Sequence, residues 1–271
     1  MSHDRLSTLF ARCKTDGRAA LVGYLTAGDP SVSLSEQLLL TLAEQVDVIE
    51  IGMPFSDPMA DGPVIQAASE RALAAGTKMD DVFELAAKVR AARADIGIVL
   101  MGYANTPYAL GFDQFALKAA AAGVDGVLLV DIPAEESAIC DEAFRRNHLH
   151  RIFLLSPTSS DYRIALAAKH ASGFIYYVSL KGITGAEMGA VGDIDAQVKR
   201  IRKFTDLPIC VGFGIKTPAQ VSQVGAFADG VVVGSHFVNQ IAQFHGNEMI
   251  TVQALKEVAT SMRSALESHS A

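Results

Sequence analysis

The feature that most narrows the folds open to this chain is a strict alternation along its length. Short, β-branched, near-continuously apolar runs recur at 20–25, 48–51, 96–101, 126–130, 152–155, 174–179, 208–212 and 230–233. Between them lie stretches with helical periodicity at 34–44, 65–75, 81–93, 112–121, 135–146, 162–170, 194–204 and 218–224. Runs apolar on both alternating positions are buried on both faces, as parallel strands covered by helices must be. Eight such units in strict order favour a closed (β/α)8 TIM barrel over an open doubly wound sheet. The 271 residues suit one barrel, so the expectation is a single domain spanning 1–271. An amphipathic segment at 1–16, carrying Asp4, Arg5, Arg12 and Lys14, adds an N-terminal helix.

Charge and cysteine usage remove several classes of function. Lys and Arg number 23 against 30 Asp and Glu, a formal charge of −7, and the densest basic group (Lys199, Arg200, Arg202, Lys203) reads as a solvated helix face. No nucleic-acid partner is expected. Cys13, Cys140 and Cys210 are far apart and form no CxxC. With no HxxxH or His/Asp cluster among the seven His, neither a disulfide framework nor a metal site is expected. No run of about 18 apolar residues occurs. The expectation is a cytoplasmic protein without a membrane span.

One turn recurs. Asp47, Asp125 and Asp229 each follow a helical stretch and open a strand. In a barrel they fall at the N-terminal rim, where residues serve stability. Chemistry belongs at the opposite rim.

The second strand reads Val48-Ile49-Glu50-Ile51-Gly52. At period two, Ile49 and Ile51 share one face and pack against helices, which turns Glu50 into the barrel near its C-terminal rim. A carboxyl group there is desolvated, which raises its pKa toward the range a proton shuttle uses; the structural alternative is a Glu tied to an internal Arg or Lys. The loop that follows, residues 53–66, holds three prolines with Asp57 and Asp61, and Gly62-Pro63 reads as a helix start. Asp57 reads as a turn former, and Asp61 as either a cap or a second active-site acid. Further on, glycines crowd the loops after strands six (Gly182, Gly185, Gly189, Gly192), seven (Gly212, Gly214) and eight (Gly234). Backbone amides after strands seven and eight are a recurrent phosphate site in barrels. An acidic chain that binds an anion has to use such amides.

The string EIGMPFSDPMADGPVIQ at 50–66 resembles the signature of the tryptophan synthase alpha subunit family. TAGDP at 26–30, VDIPAEES at 130–137, SPTSS at 156–160, GITGAE at 182–187 and GFGI at 212–215 resemble that family's other loops, in order and spacing. The resemblance implies retro-aldol cleavage of indole-3-glycerol phosphate to indole and glyceraldehyde 3-phosphate. It makes Glu50 the proton shuttle, Asp61 the acceptor of the indole N–H, and Tyr176 an assisting residue. Tyr24, Leu100, Tyr103, Leu128 and Phe213 are expected to line the indole pocket. Gly185, Gly214, Gly234 and Ser235 are expected to hold the phosphate, with Thr184 on a lid. Pro54, Asp57 and Asn105 are expected to meet a beta subunit in an alpha-beta-beta-alpha heterotetramer. That partner carries pyridoxal phosphate and joins indole to serine, so no cofactor is expected in this chain. Leu180, where some members carry Arg, and Val130, where a smaller residue is usual, depart from the pattern. A Schiff-base aldolase would need a strand lysine, whereas Lys181 sits in a glycine-rich loop. A non-catalytic scaffold would have lost Glu50 or Asp61.

Overall fold

The computed structural model describes residues 4–178, 188–212, 214–244 and 246–267. Eight parallel strands close into a barrel in chain order. They are β1 (Ala20–Thr26), β2 (Val48–Gly52), β3 (Gly97–Gly102), β4 (Gly126–Leu129), β5 (His150–Leu155), β6 (Ile175–Val178), β7 (Ile209–Gly212) and β8 (Gly230–Val233). The helices are α1 (Arg5–Thr15), α2 (Val32–Ala43), α3 (Pro63–Ala74), α4 (Met79–Ala92), α5 (Asn105–Leu110), α6 (Phe112–Ala121), α7 (Ala138–Arg146), α8 (Asp161–His170), α9 (Met188–Ile201), α10 (Pro218–Gly225), α11 (Ser235–Gln243) and α12 (Glu248–Glu267). The expected TIM barrel is therefore the fold. No helix among the described residues is long and apolar enough to cross a membrane.

Two apolar layers follow from strand alternation. Val22, Val48, Val99, Leu128, Ile152, Tyr176, Cys210 and Val232 fill the barrel interior. Leu21, Ile49, Ile51, Ile98, Val127, Phe153, Ile175, Val211 and Val231 face outward and pack against the helices. α1 closes the bottom of the barrel, with Leu6, Leu9, Phe10 and Cys13 joining the inner cluster and the Phe10 ring 5.7 Å from that of Phe174. α2 illustrates the outer layer. Ser31 caps it by accepting from the Leu34 N–H, and Leu34, Leu38, Leu39 and Leu42 form its buried stripe. Truncating Leu38, which is wholly buried, to alanine should cost about 2–5 kcal/mol.

The recurring aspartates share one construction. Asp47, ahead of β2, accepts from the Leu21 N–H of β1 and from Arg18 and Arg263. Asp125, ahead of β4, accepts from the Ile98 N–H of β3 and from Arg5 and Arg90. Asp229, ahead of β8, accepts from the Ile209 N–H of β7 and from Arg202. Each carboxylate thus clips the start of the preceding strand and neutralises its charge on guanidinium groups. These pairings hold Asp47 below the ordinary carboxyl range despite its burial, with Arg18 the largest lowering influence.

Three local expectations differ. β5 starts at His150 rather than 152 and so includes Arg151, whose guanidinium faces the outer layer over the Phe144 and Phe153 rings at 5.4 and 4.9 Å. α9 starts at Met188 rather than 194 and absorbs Gly189 and Gly192, which read as loop. α5 and α12 are additions. The first is too short, and too interrupted by Pro107, to give a period. The second buries Leu255, Ala259, Met262 and Leu266 on one face against α2, α10 and α11.

Candidate active site

A cavity of about 310 Å³ opens at the C-terminal rim of the barrel. One end carries Glu50 and Asp61, the other Gly214, Gly234 and Ser235. Val64, Ile65, Met101 and Val232 form apolar walls between the two ends.

Glu50 is fully buried, and neither of its carboxyl oxygens has a hydrogen-bond partner. Burial pushes its pKa up to about 8. An ordinary buried carboxylate would be paired or bonded, so this one is held ready for a ligand group. Tyr24 sits directly beside it in register on β1. The Tyr24 hydroxyl lies 3.2 Å from Thr26 Oγ1 and occupies the space where a Cβ on Gly52 would go. Tyr176 on β6 is built the same way, its hydroxyl filling the space above Gly212 of β7. Burial raises the pKa of both phenols, so they stay neutral and serve as donors. A side chain at Gly52 or Gly212 would push a phenol out of place.

Asp61 is positioned by its loop. The Tyr103 hydroxyl donates to Asp61 Oδ2 at 3.1 Å and accepts from the Ala60 N–H at 3.0 Å. Phe55 stacks on the Tyr103 ring at 5.2 Å, and the Gln66 side chain donates to the Asp61 carbonyl at 2.8 Å. α3 then starts with Gly62 as cap and Pro63 in its first turn. Burial raises the Asp61 pKa, and the bond from Tyr103 partly offsets it.

At the far end, Gly214 turns the chain at φ +78°, a conformation that favours glycine. Gly234 precedes α11, whose first residue is Ser235. The first amides of a helix lack intrahelical acceptors, so this end of the cavity offers free N–H donors to an anion.

The family model of the tryptophan synthase alpha chain matches residues 10–267. The chain belongs to that family. A tryptophan synthase alpha chain of Geobacter sulfurreducens is 49% identical over 259 residues, covering 93% of this chain and 98% of the relative. That of Zymomonas mobilis is 46% identical over 263 residues, covering 97% and 96%. Among solved structures, tryptophan synthase subunit alpha of Legionella pneumophila superposes with a TM-score of 0.90 at 39% identity, covering 97% of this chain and 98% of that one. Tryptophan synthase from Mycobacterium tuberculosis gives 0.87 at 32%, with 97% and 98% covered. The alpha chain family is a lyase of tryptophan biosynthesis that cleaves indole-3-glycerol phosphate and supplies indole to a beta subunit.

Of the residues expected from the sequence, the cavity brings together Glu50, Asp61, Tyr24, Tyr176, Gly214, Gly234 and Ser235, with Tyr103 bonded to Asp61. Leu128 faces the barrel interior, in register with the cavity-lining Met101. Leu100 is corrected. It pairs in register with Ile51 and faces the helix layer, while its neighbour Met101 lines the cavity. Pro54 and Asp57, on the loop after β2, and Asn105, the first residue of α5, lie outside the cavity; Asp57 and Asn105 are exposed and Pro54 is half-buried. Thr184, Gly185 and Phe213, like Leu180 and Lys181, fall outside the described residues. Val130 packs against the inner cluster. Sequence reasoning missed Met101 and Lys216, both on the cavity wall. The first lay one position away on a uniformly apolar strand, and the second stood two residues past Gly214 as a lone cation in a loop.

Proposed function

We propose that Glu50 is the proton shuttle of the retro-aldol cleavage and that Asp61 stabilises the indole nitrogen as charge develops there. The substrate supplies its own electron sink. Protonation of indole at C3 gives an indolenium, and loss of the proton from the adjacent side-chain hydroxyl breaks the C3–carbon bond. The bond electrons return to the ring, and the side chain leaves as the aldehyde of glyceraldehyde 3-phosphate. A single carboxyl group suffices. Protonated Glu50 gives its proton to C3, the resulting carboxylate takes the hydroxyl proton, and the residue ends as it began. The observation that carries this reading is the unpartnered, wholly buried Glu50 carboxyl, lifted to about 8, on the wall that also holds Asp61. Asp61 is anchored by Tyr103 and so accepts the N–H without reorganising.

The remaining roles follow the same axis. Tyr24, Met101, Tyr103 and Tyr176 surround the indole, with Leu128 behind them and Phe213 and Thr184 assigned by family resemblance. Amides at Gly214, Gly234 and Ser235, with Gly185, receive the phosphate. The beta subunit docks on the rim at Pro54, Asp57 and Asn105, where Tyr108 and Ile139 are 66% and 58% exposed beside a groove that Asn105 also lines. We assign the assembly as an alpha-beta-beta-alpha heterotetramer in the cytoplasm. Pyridoxal phosphate belongs to the beta subunit, and residues 1–271 form a single domain. The test supplies purified chain with indole-3-glycerol phosphate, with and without a beta subunit, and assays free indole. Release by the native chain and its near-absence in Glu50→Gln is the expected result. Full activity of that variant would remove Glu50 from the role.

A further inference from the structure

If the proposed substrate is correct, the far end of the cavity must hold a phosphate dianion in a chain of formal charge −7, with two carboxyl groups lining the same cavity. Backbone amides supply oriented partial charges there, and a full charge strengthens such a site substantially. Lys216 is the one basic side chain among the described residues that line this cavity. It follows β7 by four residues and Gly214 by two, and lines the cavity together with Gly214, Gly234 and Ser235.

Its base is fixed. The Lys216 N–H donates to Gln220 Oε1 at 2.8 Å, and Gln220 in turn closes a capping box with Thr217 at the start of α10. Among the described residues no carboxylate forms an ion pair with Lys216. Its charge reaches the start of α11. His236, immediately after Ser235, has its pKa lowered first by burial and then by the Lys216 ammonium.

We infer that Lys216 is the phosphate-binding cation of this site, reaching from the loop after β7 to a ligand held on the amides of Gly214, Gly234 and Ser235. It is a specificity residue. It favours dianionic substrates over neutral ones and does not touch the bond that breaks. Being exposed at the cavity mouth, it can be replaced without disturbing the core.

The experiment compares the native chain with Lys216→Gln and Lys216→Arg. Two readouts are used: steady-state indole release, and the melting-temperature rise produced by inorganic phosphate. Lys216→Gln should raise KM about five- to tenfold, the size of one charge-assisted contact discounted for solvent. The loss should fall on KM rather than kcat, and the phosphate-induced rise should shrink. Lys216→Arg should restore most of both. The native KM should also climb more steeply with salt than that of the Gln variant. Unchanged KM and unchanged phosphate response in Lys216→Gln would overturn the assignment, as would a fall confined to kcat. The phosphate readout needs no turnover. A native chain that releases no indole yet responds to phosphate through Lys216 would sink the proposed reaction and leave the cation in place.

Discussion

Asp47, just ahead of β2, and Glu50, inside it, lie three residues apart, and their environments are opposite. Asp47 is nearly buried but accepts from two arginines and a strand N–H, and its pKa falls. Glu50 is wholly buried and bonded to nothing, and its pKa rises. The same carboxyl chemistry therefore stabilises the fold at one rim and strains it at the other. Burial alone does not make a carboxylate functional; burial without compensation does.

The largest effect expected from breaking this contrast is on the chemistry. Glu50→Gln keeps the shape and should lower kcat by about 10²–10⁴-fold, the range of positioned acid–base groups. Indole release measured under saturating substrate checks it. Glu50 also has a pH signature. Its folded pKa is raised, so the stability linked to its proton is complete below its ordinary 4.5 and is lost as pH rises through about 8. Urea titrations from pH 5 to 9 should show the native chain losing stability relative to Glu50→Gln. The steepest slope should be about 1.4 kcal/mol per pH unit. In the native chain kcat/KM should fall above pH 8, because the proposed cycle begins with the protonated acid.

Next comes the bottom rim. Asp47→Asn removes the buried carboxylate that Arg18 and Arg263 share and should destabilise the fold by about 3 kcal/mol, with kcat retained. Its pH dependence runs the other way. The stability that Asp47 contributes is present above its ordinary 3.8 and is lost on acidification through its lowered folded value. The gap in denaturation midpoint between native chain and variant should be widest at pH 7 and should narrow as the pH falls below 3.8.

Asp61→Asn should reduce kcat by about 10–10²-fold while sparing the phosphate response, in keeping with loss of one electrostatic stabiliser. A variant that failed chiefly in phosphate binding would contradict its place at the indole end. The smallest effect is reserved for Tyr103→Phe. Removing one hydrogen bond of about 1 kcal/mol should lower kcat/KM about fivefold and raise the Asp61 pKa further.

How much of this could be read beforehand depended on where polarity breaks a pattern. β2 revealed its inner face because Glu50 interrupts isoleucines at period two, and the bottom rim revealed itself through a thrice-repeated aspartate. β3, from Gly97 to Gly102, is apolar throughout, so nothing distinguished Leu100 from Met101 until register with β2 fixed the parity. The proposed anion site was legible as glycines, but Lys216 was not, since a lone lysine in a loop is usually solvated surface. Tyr103 stood out only by resemblance. Its hold on Asp61 depends on contacts across 42 residues, which no local period encodes.

The carboxylate clip on Leu21 has a further consequence. In a closed ring of parallel strands, sliding one strand by a single residue would exchange its inner and outer faces. Asp47 bonds a fixed amide of β1, and Tyr24 and Glu50 meet as partners farther up the same pair. The arginine-braced aspartate thus works as an alignment gauge. It sets, from the far end of the sheet, which atoms of strand two the reactant will find.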